Sequence, residues 1–391
     1  MLKDQHFLRI PGPTPIPPSV ERAMTQPMIG HRGQETKELL AQITPKLKNI
    51  FGTKQQVNIL SGSGTAGLEA AVVNITKEND DVLVIVTGSF GDRFAKICNA
   101  YGRNVHTLEI NWGDAVNPEQ VKTYLEQNPS IQTVFLTYCE TSTGVLNPVQ
   151  AIAEMVHKVS GALLVVDGVS CVGGVETRMD DWGIDVLVTG SQKAMMLPPG
   201  LTFVAASERA KKVMRTNPQA RFYFNLQTYE EKLQENATPY TPAISLLFGL
   251  KQVLHLLEEE TLLEVYRRHV LMRDMTRAAM KALHIPLLTA DDDASPTITS
   301  IQPTDFDPEQ LRNVVKEEFG LTLAGGQNHL KGKIFRIGHM GYCSPADVLQ
   351  TISLLEVGLK KIGKNVELGT GTAAAQAVYI KSIGKKDEND F

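Results

Sequence analysis

The chain has 391 residues, 42% hydrophobic and 21% charged, an ordinary globular composition that excludes a disordered or fibrous protein. With 39 Lys and Arg against 43 Asp and Glu, the net charge is −4 and the pI near 6.2, so bulk charge predicts neither nucleic-acid binding nor attachment to an anionic membrane. The start Met1-Leu2-Lys3-Asp4-Gln5 lacks an apolar targeting core, no apolar run approaches roughly 18 residues, and the scattered Cys98, Cys139, Cys171 and Cys343 form no CxxC pair. Those features predict a cytoplasmic protein with reduced thiols and no zinc site. In chain order, the proline-dense run Ile10–Pro18 sustains neither helix nor central strand and predicts an extended arm over residues 1–20. Helical patterns follow at Glu35–Phe51 and Gly64–Ile75. Short β-branched runs stand at Val82–Val86, Val105–Ile110, Thr133–Thr137, Leu163–Val166, Val186–Thr189 and Thr202–Ala206. Such runs without polar alternation predict strands buried on both faces, and their separation by helices predicts a doubly wound, mostly parallel α/β sheet.

Beyond residue 242 the pattern changes. Pro242 introduces one long helical stretch through Leu283, followed by strand-like Thr297–Ile301, Leu321–Ala324 and Ile334–Ile337 with a helix at Asp307–Glu318 between them. The spacing predicts a large domain over 21–255, a smaller α+β C-terminal domain over 256–380, and a polar, flexible tail at 381–391.

In a doubly wound sheet, ligands bind beyond the carboxyl ends of the strands, and the distinctive residues sit there. Ser61-Gly62-Ser63-Gly64-Thr65 feeds a helix N-terminus, which offers free amides to a phosphate; the same pattern also serves as a plain N-cap. Asp167 closes an apolar run, where a carboxylate needs a cationic or hydrogen-bonding partner, either a protonated ring nitrogen or the amides of the following turn. Lys193, in Gly190-Ser191-Gln192-Lys193, has small and apolar neighbours that can desolvate its amine and make it nucleophilic. Arg336, inside the apolar Ile334–Ile337, has a planar fork suited to a carboxylate, or else lies exposed on an edge strand. A phosphate cradle, an acid for a ring nitrogen, an amine for an aldehyde and a guanidinium for a carboxylate are together what pyridoxal phosphate chemistry needs.

The sequence resembles the class V aminotransferases of fold type I, in particular the alanine–glyoxylate and serine–glyoxylate group. The resemblance spans almost the whole chain, and its motifs occur in the family's order: Pro11-Gly12-Pro13-Thr14, Ser61–Thr65, Glu140-Thr141-Ser142-Thr143-Gly144, Asp167-Gly168-Val169-Ser170, Gly190–Lys193, Thr238–Pro242 and Lys331–Gly338. The resemblance implies a cofactor, pyridoxal 5′-phosphate, with Lys193 as the Schiff-base lysine and Asp167 on the pyridinium nitrogen. It implies Phe90 against the ring (or a plain core phenylalanine), Ser63, Gly64, Thr65 and Gln192 on the phosphate, and Thr141 near the ring hydroxyl. Tyr240 and Thr241 are implied to reach the phosphate of a second subunit, making the protein a homodimer with shared active sites. Arg336 is implied to bind the substrate carboxylate. His31, in Gly30-His31-Arg32-Gly33, stands near the substrate side chain or is merely structural. With no second arginine plainly placed for an acidic side chain, small amino acids such as alanine or serine are the expected donors, and glyoxylate or pyruvate the acceptors. Three alternatives stand beside this: a ureidoglycine–glyoxylate aminotransferase, a lyase of the cysteine desulfurase type using Cys343, and a non-catalytic subunit, since some proteins of this group have been labelled hydrogenase subunits.

Overall fold

The computed structural model describes residues 6–389, with side chains through residue 383. Residues 1–5 of the expected arm and 390–391 of the expected tail lie outside the described residues.

The arm opens with a two-residue strand, β1 (Phe7–Leu8), and runs to helix α1 (Pro18–Met24), whose leading proline gives up no helical hydrogen bond. Helix α2 (Gln34–Phe51) buries Leu39, Leu40, Ile43, Leu47 and Ile50, spaced to share one face. Strand and helix then alternate through β2 (Val57–Gly62), α3 (Gly64–Ile75), β3 (Asp81–Val86), α4 (Ser89–Ala100), β4 (Asn104–Glu109), α5 (Pro118–Gln127) and β5 (Thr133–Thr137). A short hairpin of β6 (Cys139–Glu140) and β7 (Val145–Leu146) follows. After it come α6 (Val149–Val159), β8 (Leu163–Asp167), β9 (Val186–Gly190), β10 (Gly200–Ala206), α7 (Glu208–Thr216), α8 (Leu226–Gln234) and α9 (Ile244–Glu260).

Seven strands pair in the order β2-β10-β9-β8-β5-β3-β4. Strand β10 is antiparallel to both neighbours and the remaining pairs are parallel, so the sheet is mostly parallel, as its apolar runs predict. Along β3 the side chains divide between two cores. Leu83 and Ile85 join the core under α2, α5, α6 and α9, while Val82, Val84 and Val86 join that under α3, α4, α7 and α8. Period-two alternation with both faces covered is why the run carries no polar residue.

The smaller unit comprises α10 (Leu262–Ala282), β11 (Ile298–Ile301), α11 (Pro308–Phe319), β12 (Leu321–Thr322), β13 (Ala324–Gly325), β14 (Phe335–Gly338), α12 (Pro345–Lys361) and α13 (Thr370–Asn389). Strands β11, β14 and β13 form an antiparallel sheet over a core containing Met272, Leu311, Val315, Phe335, Ile352 and Leu355.

Four features differ from the sequence expectation. The stretch expected as one helix is two, broken at Thr261 (φ 67°), whose hydroxyl accepts from the Glu264 amide and starts α10 afresh. The run Leu321–Ala324 splits, because Leu321 and Thr322 pair with the arm while Ala324 and Gly325 pair with β14. The arm itself is therefore a strand of the small unit, with Phe7 opposite Leu321 and Leu8 opposite Thr322. Residues 381–389, expected in a flexible tail, continue the backbone of α13.

Candidate active site

Strand β9 ends at Gly190 and the chain turns sharply. Ser191 holds the turn by donating to the Pro198 carbonyl (2.7 Å) and accepting from the Leu201 amide (3.1 Å). The turn carries Lys193 into the protein, where it is 7% exposed and its amine donates to the Pro11 carbonyl. Burial lowers the amine to about 8, and the nearby charge of Arg336 adds to the effect. Asp167 ends the neighbouring strand β8 and is 3% exposed, with Oδ1 accepting from the Val169 amide (2.9 Å). Burial pushes this carboxyl up to about 7. An acid and an amine are thus brought together from adjacent strand ends, both poised near neutrality by desolvation.

Helix α3 begins at Gly64 beside them. Ser63 stands at its N-cap without using its side chain as a cap, and the Gly64 and Thr65 amides precede any helical carbonyl that could accept them. Gln192 converges on the same point. A Cβ at Gly190 would lie 2.9 Å from Gln192 Oε1 and 3.5 Å from the Gly64 nitrogen, so a side chain here would fill the cradle. Gln192 Oε1 is itself buried with no hydrogen-bond partner. The Gly64 and Thr65 amides and the Ser63 hydroxyl therefore offer donors at a helix N-terminus, the arrangement that suits a phosphate, and Gln192 joins them as a donor when its side-chain amide is turned so that Nε2 faces the cradle.

Phe90 lies in the first turn of α4, half-buried. Its position is fixed by Glu140, which is fully buried and accepts from the amides of Phe90 (3.1 Å), Gly91 (3.1 Å) and Ser142 (3.0 Å) and from the Ser142 hydroxyl (2.5 Å). Burial raises the Glu140 carboxyl while these bonds hold its charged form. Thr141 is buried next to it, its hydroxyl bonded to that of Ser170. Arg336, 5% exposed on β14, donates Nε and Nη2 to the Gly325 carbonyl (2.9 and 2.7 Å) and Nη1 to the Thr141 carbonyl (2.7 Å). A guanidinium has five N–H groups, so two remain, the number a bidentate carboxylate requires.

The structure does not bring every expected residue to this centre. His31 is half-buried in the turn closed by the Gly33 amide on the Gly30 carbonyl (2.9 Å), and it makes no hydrogen bond to the centre among the described residues. Tyr240 stacks on Tyr223 (5.0 Å, 18°) and donates to the Phe222 carbonyl (3.0 Å), and Thr241 is exposed beside it. Cys343 is 5% exposed and burial pushes its thiol up to about 11, the opposite of an activated nucleophile.

Three participants were not singled out from the sequence. The carbonyl of Pro11 meets Lys193 through a fold-level contact that no local pattern announces. Glu140 stands in the sequence only as the first residue of the run Glu140–Gly144, with nothing local to mark its role. Arg93, whose guanidinium lies 4.6 Å from the Phe90 ring centroid and 3.5 Å from Thr65 Oγ1, had a usable signal: it stands three residues after Phe90, one helical turn along the same face.

The aromatic platform, the phosphate cradle, the buried acid and the buried amine fit pyridoxal 5′-phosphate. The model of the family "Aminotransferase class-V" matches residues 7–344. Over 381 residues the chain is 41% identical to the soluble hydrogenase small subunit of Synechococcus sp. (strain PCC 6716), covering 96% of this chain and 99% of that protein. It is 34% identical to the serine–glyoxylate aminotransferase of Arabidopsis thaliana, covering 96% of each. The crystal structure of the ureidoglycine–glyoxylate aminotransferase of Bacillus subtilis superimposes with a TM-score of 0.90 at 31% identity, over 97% of this chain and 99% of that one.

Proposed function

Because the chain belongs to the class V aminotransferase family and is a pyridoxal phosphate-dependent transaminase, we propose that it moves the amino group of a small amino acid, alanine or serine, onto glyoxylate or pyruvate. When bound, the cofactor supplies an electron sink for the carbanion formed at the substrate α-carbon. In this reading Lys193 holds the cofactor and carries the α-proton at Nζ, Asp167 keeps a proton on the ring nitrogen, and Phe90 backs the ring. Ser63, Gly64, Thr65 and Gln192 hold the phosphate, and Arg336 takes the substrate carboxylate with its two remaining N–H groups. The observation that carries the preference for small substrates is the division of cations around Lys193. Of the cations whose charge acts on Lys193, Arg336 is assigned in this reading to one carboxylate through the N–H groups its backbone bonds leave over, and Arg93, over the Phe90 ring and beside Thr65, is assigned to the phosphate. The working unit in this reading is a homodimer, in which Tyr240 and Thr241 complete the phosphate site of the second copy.

The test is a panel of amino acids against glyoxylate, pyruvate and 2-oxoglutarate, with the visible spectrum of the loaded protein followed throughout. Alanine or serine is expected to change the spectrum and to support turnover with glyoxylate or pyruvate. Lys193→Ala is expected to leave no more than a trace of turnover while the protein stays folded and dimeric, since only a primary amine can serve both roles. Retained activity in that variant would remove Lys193 from the mechanism. A spectrum indifferent to every amino acid would favour the non-catalytic reading.

A further inference from the structure

We propose that the backbone carbonyl of Pro11, in the N-terminal arm, positions the catalytic amine by accepting one N–H of Lys193 and so orienting the nitrogen lone pair whenever that amine is free. The proposal rests on the reading of Lys193 as proton carrier, and concerns what aims it.

The contact is specific. Among the described residues the Pro11 carbonyl is the only hydrogen-bond partner of the Lys193 amine. A buried amine on a four-carbon stem has many rotamers, and one fixed acceptor selects among them. A neutral carbonyl suits the task better than a carboxylate would. An anion at that distance would strongly favour the ammonium and remove the lone pair, whereas a carbonyl orients the nitrogen with a weaker pull on its proton. The charged and titratable groups around the amine are Arg336 on β14, Arg93 on α4, Asp167 on β8 and Cys139 on β6. The arm segment Ile10–Pro15 adds none.

The arm is also built to hold that carbonyl in place. Upstream, the Arg9 amide donates to the Thr322 carbonyl (3.0 Å), the Gly338 amide donates to the Arg9 carbonyl (2.8 Å), and Arg9 forms an ion pair with Asp347. Downstream, the Thr14 amide donates to the Gln192 carbonyl (3.2 Å) and its hydroxyl to the Lys193 carbonyl (3.1 Å). Between these anchors Gly12 adopts φ +83°, and a Cβ there would lie 2.4 Å from Lys193 Cδ and 2.9 Å from the Gln192 carbonyl oxygen. Only glycine lets the arm approach the lysine stem this closely. The strand that carries Arg336 also carries Gly338, so one strand supports both the carboxylate clamp and the arm.

Gly12→Ala pushes the arm off the lysine without altering any charged group, and Thr14→Val removes one anchor at nearly constant volume. The first measurement uses the cofactor-free protein. Competitive labelling with cyanate across pH, read by mass spectrometry on the Lys193 peptide, gives the titration midpoint of that amine, with thermal melting as the check on folding. Loss of the acceptor is expected to lower the midpoint, because the carbonyl favours the ammonium. In the loaded enzyme, kcat with alanine is expected to fall roughly ten- to hundredfold with little change in KM. The isotope effect from α-deuterated alanine is expected to rise, since proton transfer becomes limiting. If Gly12→Ala fails to fold, Thr14→Val decides, with the same directions. An unchanged or raised midpoint, or an isotope effect equal to that of the wild type in a folded variant, overturns the proposal. That failure is distinct from failure of the functional reading, which would appear as activity surviving in Lys193→Ala.

Discussion

Asp167 ends the central strand β8, paired there to both β5 and β9, and its carboxyl is buried with one amide supporting it. Burial raises it to about 7 from its ordinary 3.8, so the folded chain binds this proton more tightly than the unfolded chain does. Its contribution to stability is therefore fully present below about pH 4 and is lost as pH rises through about 7. Without cofactor, Asp167→Asn is expected to melt higher than wild type at pH 8, with the difference closing toward pH 4, as a series of thermal melts will show. With cofactor, the same variant is expected to lose more in kcat than in cofactor affinity, because a neutral amide cannot keep a proton on the ring nitrogen as charge develops there. Arg336 makes a different prediction. Its Nε, Nη1 and Nη2 are each spent on a backbone carbonyl, so a lysine would lose both the anchoring and the two-pronged clamp. A charge-assisted hydrogen bond contributes about 1.5–3 kcal/mol, which corresponds to a KM raised roughly ten- to hundredfold in Arg336→Lys. Steady-state kinetics should show the rise for every amino acid and oxo acid alike, while the resting spectrum is unchanged.

At the scale of elements, the first turn of α4 matters most. Its amides at Phe90 and Gly91 are satisfied by Glu140, and that at Ser89 by the Ser142 hydroxyl (2.9 Å), so the β6–β7 hairpin serves as the helix's cap. The next residue, Thr141, anchors Arg336 through its carbonyl, so one turn sets both the ring platform and the carboxylate clamp. Glu140→Gln places an amide NH2 among N–H donors and is expected to lower stability by about 1–3 kcal/mol. Cofactor affinity is expected to fall with it as Phe90 loosens, measured by urea denaturation and by titration of the cofactor-free protein. Legibility at this scale was uneven for physical reasons. Helix α3 and strand β5 coincide with their sequence patterns because local signals mark them, the Gly/Ser loop that opens α3 and the β-branched, aromatic run of β5. The break at Thr261 was also written locally, as Thr261-Leu262-Leu263-Glu264, a threonine followed three residues later by glutamate, but the continuous leucine periodicity on either side hid it. Strands β12 and β13 read as one run because nothing in Leu321–Gly325 reveals that its halves have different partners.

At the scale of the whole molecule, Phe222 is 80% exposed with its ring 5.5 Å from that of Tyr240, which in turn stacks on Tyr223, the donor to the Ser61 carbonyl. Such an exposed aromatic cluster beside a phosphate cradle accords with the proposed homodimer. Phe222→Glu is expected to shift sedimentation toward the monomer and to weaken cofactor binding together with it. Weakened association with unaltered cofactor affinity would separate the cluster from the site. The sequence by itself determined the layered α/β architecture and the residues at its strand ends. Buried parallel strands demand uninterrupted apolar runs, and chemistry placed at their carboxyl ends must interrupt those runs with Asp167, Lys193 and the Gly/Ser loop. Only the tertiary structure decided what surrounds those residues. The arm at Pro11 meets Lys193, Glu140 meets the start of α4, and Thr141 meets Arg336 across stretches of chain whose patterns are complete without them. The reason is that periodicity records which face of an element is buried, whereas a hydrogen bond to a carbonyl or an amide uses backbone atoms that every residue possesses, so its partner is chosen by the fold alone.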